Sequence, residues 1–79
     1  MPRYFLHLRD TRDELLDAEG IVLPGPSELR KHMLRNARDV IAGDVQEGIL
    51  RLDMRIEAED ESGTIVLSLP FTEAVTIEF

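Results

Sequence analysis

Apolar residues recur at helical spacing over one long stretch of this chain, Pro26 to Glu47, where Leu29, Met33, Leu34, Ala37, Val40 and Ile41 share one arc of a helical wheel. Lys31, His32, Arg35, Asn36, Arg38 and Asp39 fall mostly opposite, so the pattern predicts a helix with a single face to bury. Gly25 is placed to cap it. Pro26 suits the first helical position, where its missing N–H would be an orphan anyway, and Glu28 lies in the first turn, where the helix dipole favours a carboxylate. Gly43 and Gly48 both offer a stop; the expectation is a helix continuing to about Gln46 with a weak spot at Gly43.

Elsewhere the pattern is that of strands. Arg3 to Arg9 alternates, with Tyr4, Leu6 and Leu8 expected under the helix and Phe5 and His7 on the other face. Asp10 to Glu19 has no strand pattern and reads as an acidic hairpin loop, with room for one helical turn around Asp13 to Leu16. Ile21, Val22 and Leu23 form a short second strand that Pro24 ends. After the helix, Ile49, Leu50 and Leu52 are expected to tuck against its end. Met54 to Asp60 then alternates Met54, Ile56 and Ala58 with Arg55, Glu57 and Glu59. Asp60-Glu61-Ser62-Gly63 is turn chemistry, and Thr64 to Leu69 completes a hairpin with Ile65, Leu67 and Leu69 expected inside. Pro70 ends that strand, and Val75, Ile77 and Phe79 alternate in the tail as a short extra strand or a turn over the sheet edge.

The fold read from this pattern is α+β: β-β-α-β-β, a four-stranded antiparallel sheet with one amphipathic helix packed on one face, in a single domain over residues 1–79. The two most apolar strands, 3–9 and 64–69, lose most by exposure and are expected in the centre, giving the order 21–23, 3–9, 64–69, 54–60. Leu6, Leu8, Met33, Val40, Ile56 and Leu67 form the expected core.

Three segments carry a resemblance to a known family: the opening MPRYFLHLRD, the GIVLP before the helix, and RIEAEDESGTIVLSLPF near the end. They are similar to the domain of unknown function 6894 family, short bacterial proteins that typically open MPRYFFH and hold an acidic loop, a helix and a terminal D-E-x-G hairpin. The resemblance spans nearly the whole chain. It departs at Leu6, where an aromatic is common, and at Gly43 inside the helix. The resemblance implies a fold but no activity, so it carries no catalytic or binding role onto any residue.

Composition narrows the chemistry. With 79 residues there is room for one modest core, and with no cysteine a disulfide framework, a thiol nucleophile, a Cys zinc site and an iron–sulfur cluster are excluded. The opening apolar run is broken by His7 and ends at Arg9, which fits neither a signal peptide nor a membrane span, so the expected compartment is the cytoplasm. The net charge of -7 is concentrated at the two ends. It repels phosphate backbones, and the small basic cluster Lys31, Arg35 and Arg38 is expected to be a solvated helix face rather than a nucleic-acid site.

No constellation for catalysis emerges. The acidic loop holds Asp10, Asp13, Glu14, Asp17 and Glu19, but a calcium loop counted from Asp10 would meet Arg12 at its third position and Leu15 at its sixth. His7 and His32 lie on different elements and imply no metal pair. Of Ser27, Ser62 and Ser68, only Ser68 could share a face with His7, and only if their strands are neighbours. No catalytic, cofactor or metal residue is assigned. The expected site is an interface on the open sheet face, made of Phe5, His7, Val22, Arg55, Val66 and Ser68, serving a protein partner or a second copy with no nucleic acid and no membrane. An antitoxin-like regulatory partner, suggested by size and fold analogy alone, is the second reading.

Overall fold

The computed structural model describes residues 1–79. Strand β1 (Arg3–Arg9) is followed by two short strands, β2 (Glu14–Leu15) and β3 (Ile21–Val22), then helix α1 (Pro26–Gln46) and the hairpin β4 (Arg55–Asp60) and β5 (Ile65–Pro70). A 3-10 turn, Phe71–Glu73, precedes the tail. This is the α+β arrangement that the pattern predicts, with one strand added: Glu14–Leu15 pairs with β1 inside the acidic stretch expected as a loop with room for a helical turn.

Helix α1 begins at the Gly25 cap with Pro26 in its first turn and Glu28 beside its N-terminus, as expected. It runs through Gly43 and ends in a Schellman motif: Ile49 N–H reaches the Asp44 carbonyl at 2.9 Å and Gly48 N–H reaches Val45 at 2.9 Å, with Gly48 at φ +81°. Leu29, Met33, Ala37 and Ile41, one per turn, are its buried stripe.

The sheet is antiparallel, and across it the order is β2/β3, β1, β4, β5: β2 pairs with the C-terminal half of β1 (Leu8 opposite Leu15) and β3 with its N-terminal half (Tyr4 opposite Ile21). The expected order of the last two strands is therefore reversed. β4, not the more apolar β5, lies beside β1. What β4 brings to the centre is small and charged: Ala58 is fully buried beneath the helix, and on its other face Glu57 pairs with Arg9 of β1 and Arg55 of its own strand while Glu59 faces His7.

A bulge in the hairpin changes β5 further. Ala58 pairs with Leu67 but Glu59 pairs with Ile65, leaving Val66 without a partner. The extra residue breaks the alternation. Ile65, expected inside, sits opposite the outward Glu59, while Val66, expected outside, lines the helix side with Leu67.

The core comprises Tyr4, the helix stripe, Ile56, Ala58, Leu69, Phe71 and Ala74. Met33 and Ile56 of the expected set are fully enclosed, whereas Leu6, Leu8, Val40 and Leu67 are half-buried around them. The tail supplies an unexpected anchor instead. Phe71 is completely buried, its N–H held by the Met54 carbonyl at 2.9 Å, and Arg38 Nε donates to the Ala74 carbonyl at 2.8 Å. Of the connector, Leu52 packs on the core but Ile49 and Leu50 remain exposed.

Candidate functional site

On the face of the sheet away from the helix, three rows of side chains cross the strands: Phe5, Glu59 and Ile65; His7, Glu57 and Ser68; Arg9, Arg55 and Pro70. Arg9 and Arg55 face each other across the β1–β4 ladder, a repulsive pairing that Glu57 relieves by lying 2.7 Å from Arg9 Nε and 3.6 Å from Arg55 Nε. Glu14 pairs with Arg9 from the other side. Charges thus alternate across the middle of this face, while Val22, Ile65 and Ser68 on it stay exposed.

The acidic loop closes it further. Asp17 N–H donates to His7 Nδ1 at 3.1 Å, and His7, 6% exposed, turns its Nε2 toward Glu59 Oε1 at 3.8 Å. Because Nδ1 accepts, the neutral ring carries its proton on Nε2, facing the carboxylate. The expected surface residue His7 is therefore buried. Phe5 is half-buried against Gly20, and Val22 is exposed opposite Arg3 at the far edge. Of the six interface residues expected, Phe5, His7, Val22, Arg55 and Ser68 share this face and Val66 does not, because the bulge has moved it. β4 separates His7 from Ser68 by two strand spacings, about 10 Å, so they form no nucleophile–base pair.

The loop carboxylates act on the chain's own amides. Asp17 bridges the gap between β2 and β3: its Oδ2 accepts from Leu6 N–H at 3.1 Å, and its Oδ1 from Glu19 N–H at 3.1 Å and Gly20 N–H at 3.0 Å. Burial pushes the Asp17 carboxyl up, but the Gly20, Leu6 and Glu19 amides outweigh it and hold it below the usual range. Asp60 does the same in the hairpin turn, where the Ser62 hydroxyl, then the Thr64 and Ser62 amides, lower its carboxyl. Asp10 accepts from the Asp13 and Arg12 amides, which lower it likewise. No group of three or more His, Asp or Glu side chains converges as a metal site.

On the helix side the strands and α1 diverge. Between the first turns of the helix and the hairpin end of the sheet lies a groove of about 770 Å³, with the buried Tyr4 and Leu29 among its lining, Leu34 from the helix and Val66 and Leu67 from β5. Arg30 and Lys31 stand at its rim, and neither makes an ion pair. β5 is the outermost strand on this side, so its free backbone edge runs beside the groove. Sequence reasoning missed this place because it arises where two elements part, which no local pattern encodes. For Asp17 a signal exists: Asp17-Ala18-Glu19-Gly20 repeats the Asp-x-x-Gly spacing of the turn Asp60 to Gly63.

Comparison with known proteins agrees with the resemblance. A family model described as Domain of unknown function (DUF6894) matches residues 3–72. The chain belongs to this family. The DUF6894 match takes in all five strands, the helix and the buried Phe71, and the tail lies outside it. No curated protein and no solved structure matches the chain. In this DUF6894 domain no helix is long and apolar enough to cross a membrane.

Proposed function

We propose that this domain is a protein-interaction module, and that it takes an extended segment of a protein along the β5 edge with apolar side chains seated in the groove. The observation that carries the reading is a coincidence of three features in one place: an unpaired strand edge, an apolar groove of about 770 Å³, and two cations without partners at its rim. Strand addition uses the first for main-chain hydrogen bonds and the second for alternate side chains. Arg30 and Lys31 favour acidic residues flanking those side chains. Asp60 also lines the groove, but its charge is engaged by its own turn. The net charge of -7 supports a protein partner over a nucleic acid. The charge ladder and the buried His7 count against the opposite face as the contact surface.

The test is a library of labelled extended peptides that alternate apolar and polar residues beside an acid, measured by fluorescence anisotropy. Binding is expected to be lost in Val66→Glu, whose side chain is 46% exposed at the groove and so dispensable for folding. A library that yields no binder to the folded protein at concentrations low enough for it to be monomeric would overturn the reading.

A further inference from the structure

The tail has the chemistry that the groove selects. Val75, Ile77 and Phe79 alternate with Thr76 and Glu78, the period of a strand, yet none of these residues makes a backbone hydrogen bond. Val75 packs against the core, but Ile77 is half exposed and Phe79 wholly so. The tail is a strand pattern without a sheet, and β5 is a sheet edge without a strand.

Resting on the interaction reading above, we propose that the groove of one copy receives residues 76–79 of a second copy, and reciprocally, so that the chain forms an exchanged dimer. In this arrangement the tail pairs with β5, Ile77 and Phe79 enter the groove beside Val66 and Leu67, and Glu78 points to the opposite face of the sheet. What commits the groove to this occupant is the match between an unpaired strand edge and a tail with strand alternation and no backbone partner, with the overall charge of the two regions in its favour. Two chains of net charge -7 repel over most of their surfaces, but Glu73 and Glu78 are unpaired carboxylates at the tail and Arg30 and Lys31 are unpaired cations at the groove. Four extended residues reach about 13 Å, enough to pass Val66 and Leu67 though not the whole of the six-residue β5. The chain's own tail does not line its groove, and Arg38 holds the tail's origin at the Ala74 carbonyl. Reciprocal exchange forms two such contacts per dimer.

Sedimentation equilibrium of the full chain tests this, beside Phe79→Glu, which spoils the tail, and Val66→Glu, which spoils the groove. The wild type is expected to be dimeric and each variant monomeric, its dissociation constant raised about tenfold or more by a charge in an apolar contact. Mixing the two variants should restore a dimer of intermediate strength, since one intact groove then meets one intact tail. Thermal melts of both should stay close to the wild type, because both side chains are exposed. A wild type that stays monomeric overturns the proposal, whether its groove is empty or filled by its own tail; in the second case Phe79→Glu would bind library peptides more tightly than the wild type. Library peptides that bind while a labelled peptide of residues 73–79 does not would overturn the exchange alone and leave the interaction reading standing.

Discussion

Along the edge beside β1 the chain folds back into two strands of two residues each, and the gap between them is closed by the carboxylate of Asp17 and the imidazole of His7. Along the edge beside β4 it runs as one six-residue strand, bulged at Val66, with nothing across its outer side. Both devices address one hazard, since a flat, unpaired edge invites other strands. The first edge is shortened and capped by polar groups already engaged within the chain. The second is only bent, and an apolar groove opens beside it. The difference teaches where association is resisted and where it is permitted. It also implies different supports: the β5 edge is held by what its inner face buries, the β2/β3 edge by hydrogen bonds to one side chain.

The largest expected effect comes from removing what β5 buries. Leu69 is fully enclosed opposite Ile56, and Leu69→Ala should cost about 2–5 kcal/mol, a large part of the stability of a domain this small. Leu67→Ala, at the half-buried wall of the groove, should cost clearly less. Urea melts of the two variants check the ranking, and equal losses would mean that the groove is closed in solution.

At the other edge the sensitive position is polar. Asp17→Ala removes the acceptor of the Leu6, Glu19 and Gly20 amides and should cost about 2–3 kcal/mol. Acid should act in the same place. The folded-state carboxyl of Asp17 is lowered from 3.8, so its stabilisation is present above that value and is lost as pH falls through the lowered one. Amide exchange followed by NMR down to about pH 3 should show Leu6 losing protection before Leu69 does. Simultaneous loss at both would erase the proposed difference between the edges. Gly20→Ala strikes the same turn through the backbone. Its φ is +74° and an added Cβ would stand 2.9 Å from the Tyr4 carbonyl oxygen, so a loss of about 1–3 kcal/mol is expected in a thermal melt.

Which parts of this picture were legible in the sequence follows from how local their causes are. The helix ends are set by Gly25, Pro26 and Gly48, each acting within one turn, and the bounds expected from them are those observed. The turn Asp60 to Gly63 was legible for the same reason. Strand order was not, because apolarity ranks β5 above β4, while the centre of the sheet is decided by how Glu57 and Glu59 meet Arg9 and His7 across strands. Val66 and Ile65 exchanged faces through a single unpaired residue, and one residue of slip inverts a strand whatever its composition. Phe71 looked like tail because Pro70 precedes it, yet the 3-10 turn folds it under the helix. The interface residues expected around Phe5 and His7 rested on an open face, and what covers His7 and part of Phe5 is a loop with no strand pattern to announce it.

The smallest expected effect should leave both edges as they are. Gly43 lies inside α1, where glycine is disfavoured relative to alanine by up to about 1 kcal/mol, and apart from the helix's own neighbouring backbone no atom lies within 4 Å of where its Cβ would be. Gly43→Ala should therefore stabilise by about 0.5–1 kcal/mol, raising the melting temperature by a few degrees. The gain comes from the helix and from the restricted unfolded chain, so it should slow global exchange without changing the order in which Leu6 and Leu69 open. A loss of stability would mean that the helix breaks at Gly43 in solution. A gain that also reversed the order of opening would mean that the two edges are tied together through the helix, and the contrast between them would then belong to the helix rather than to Asp17 and the bulge.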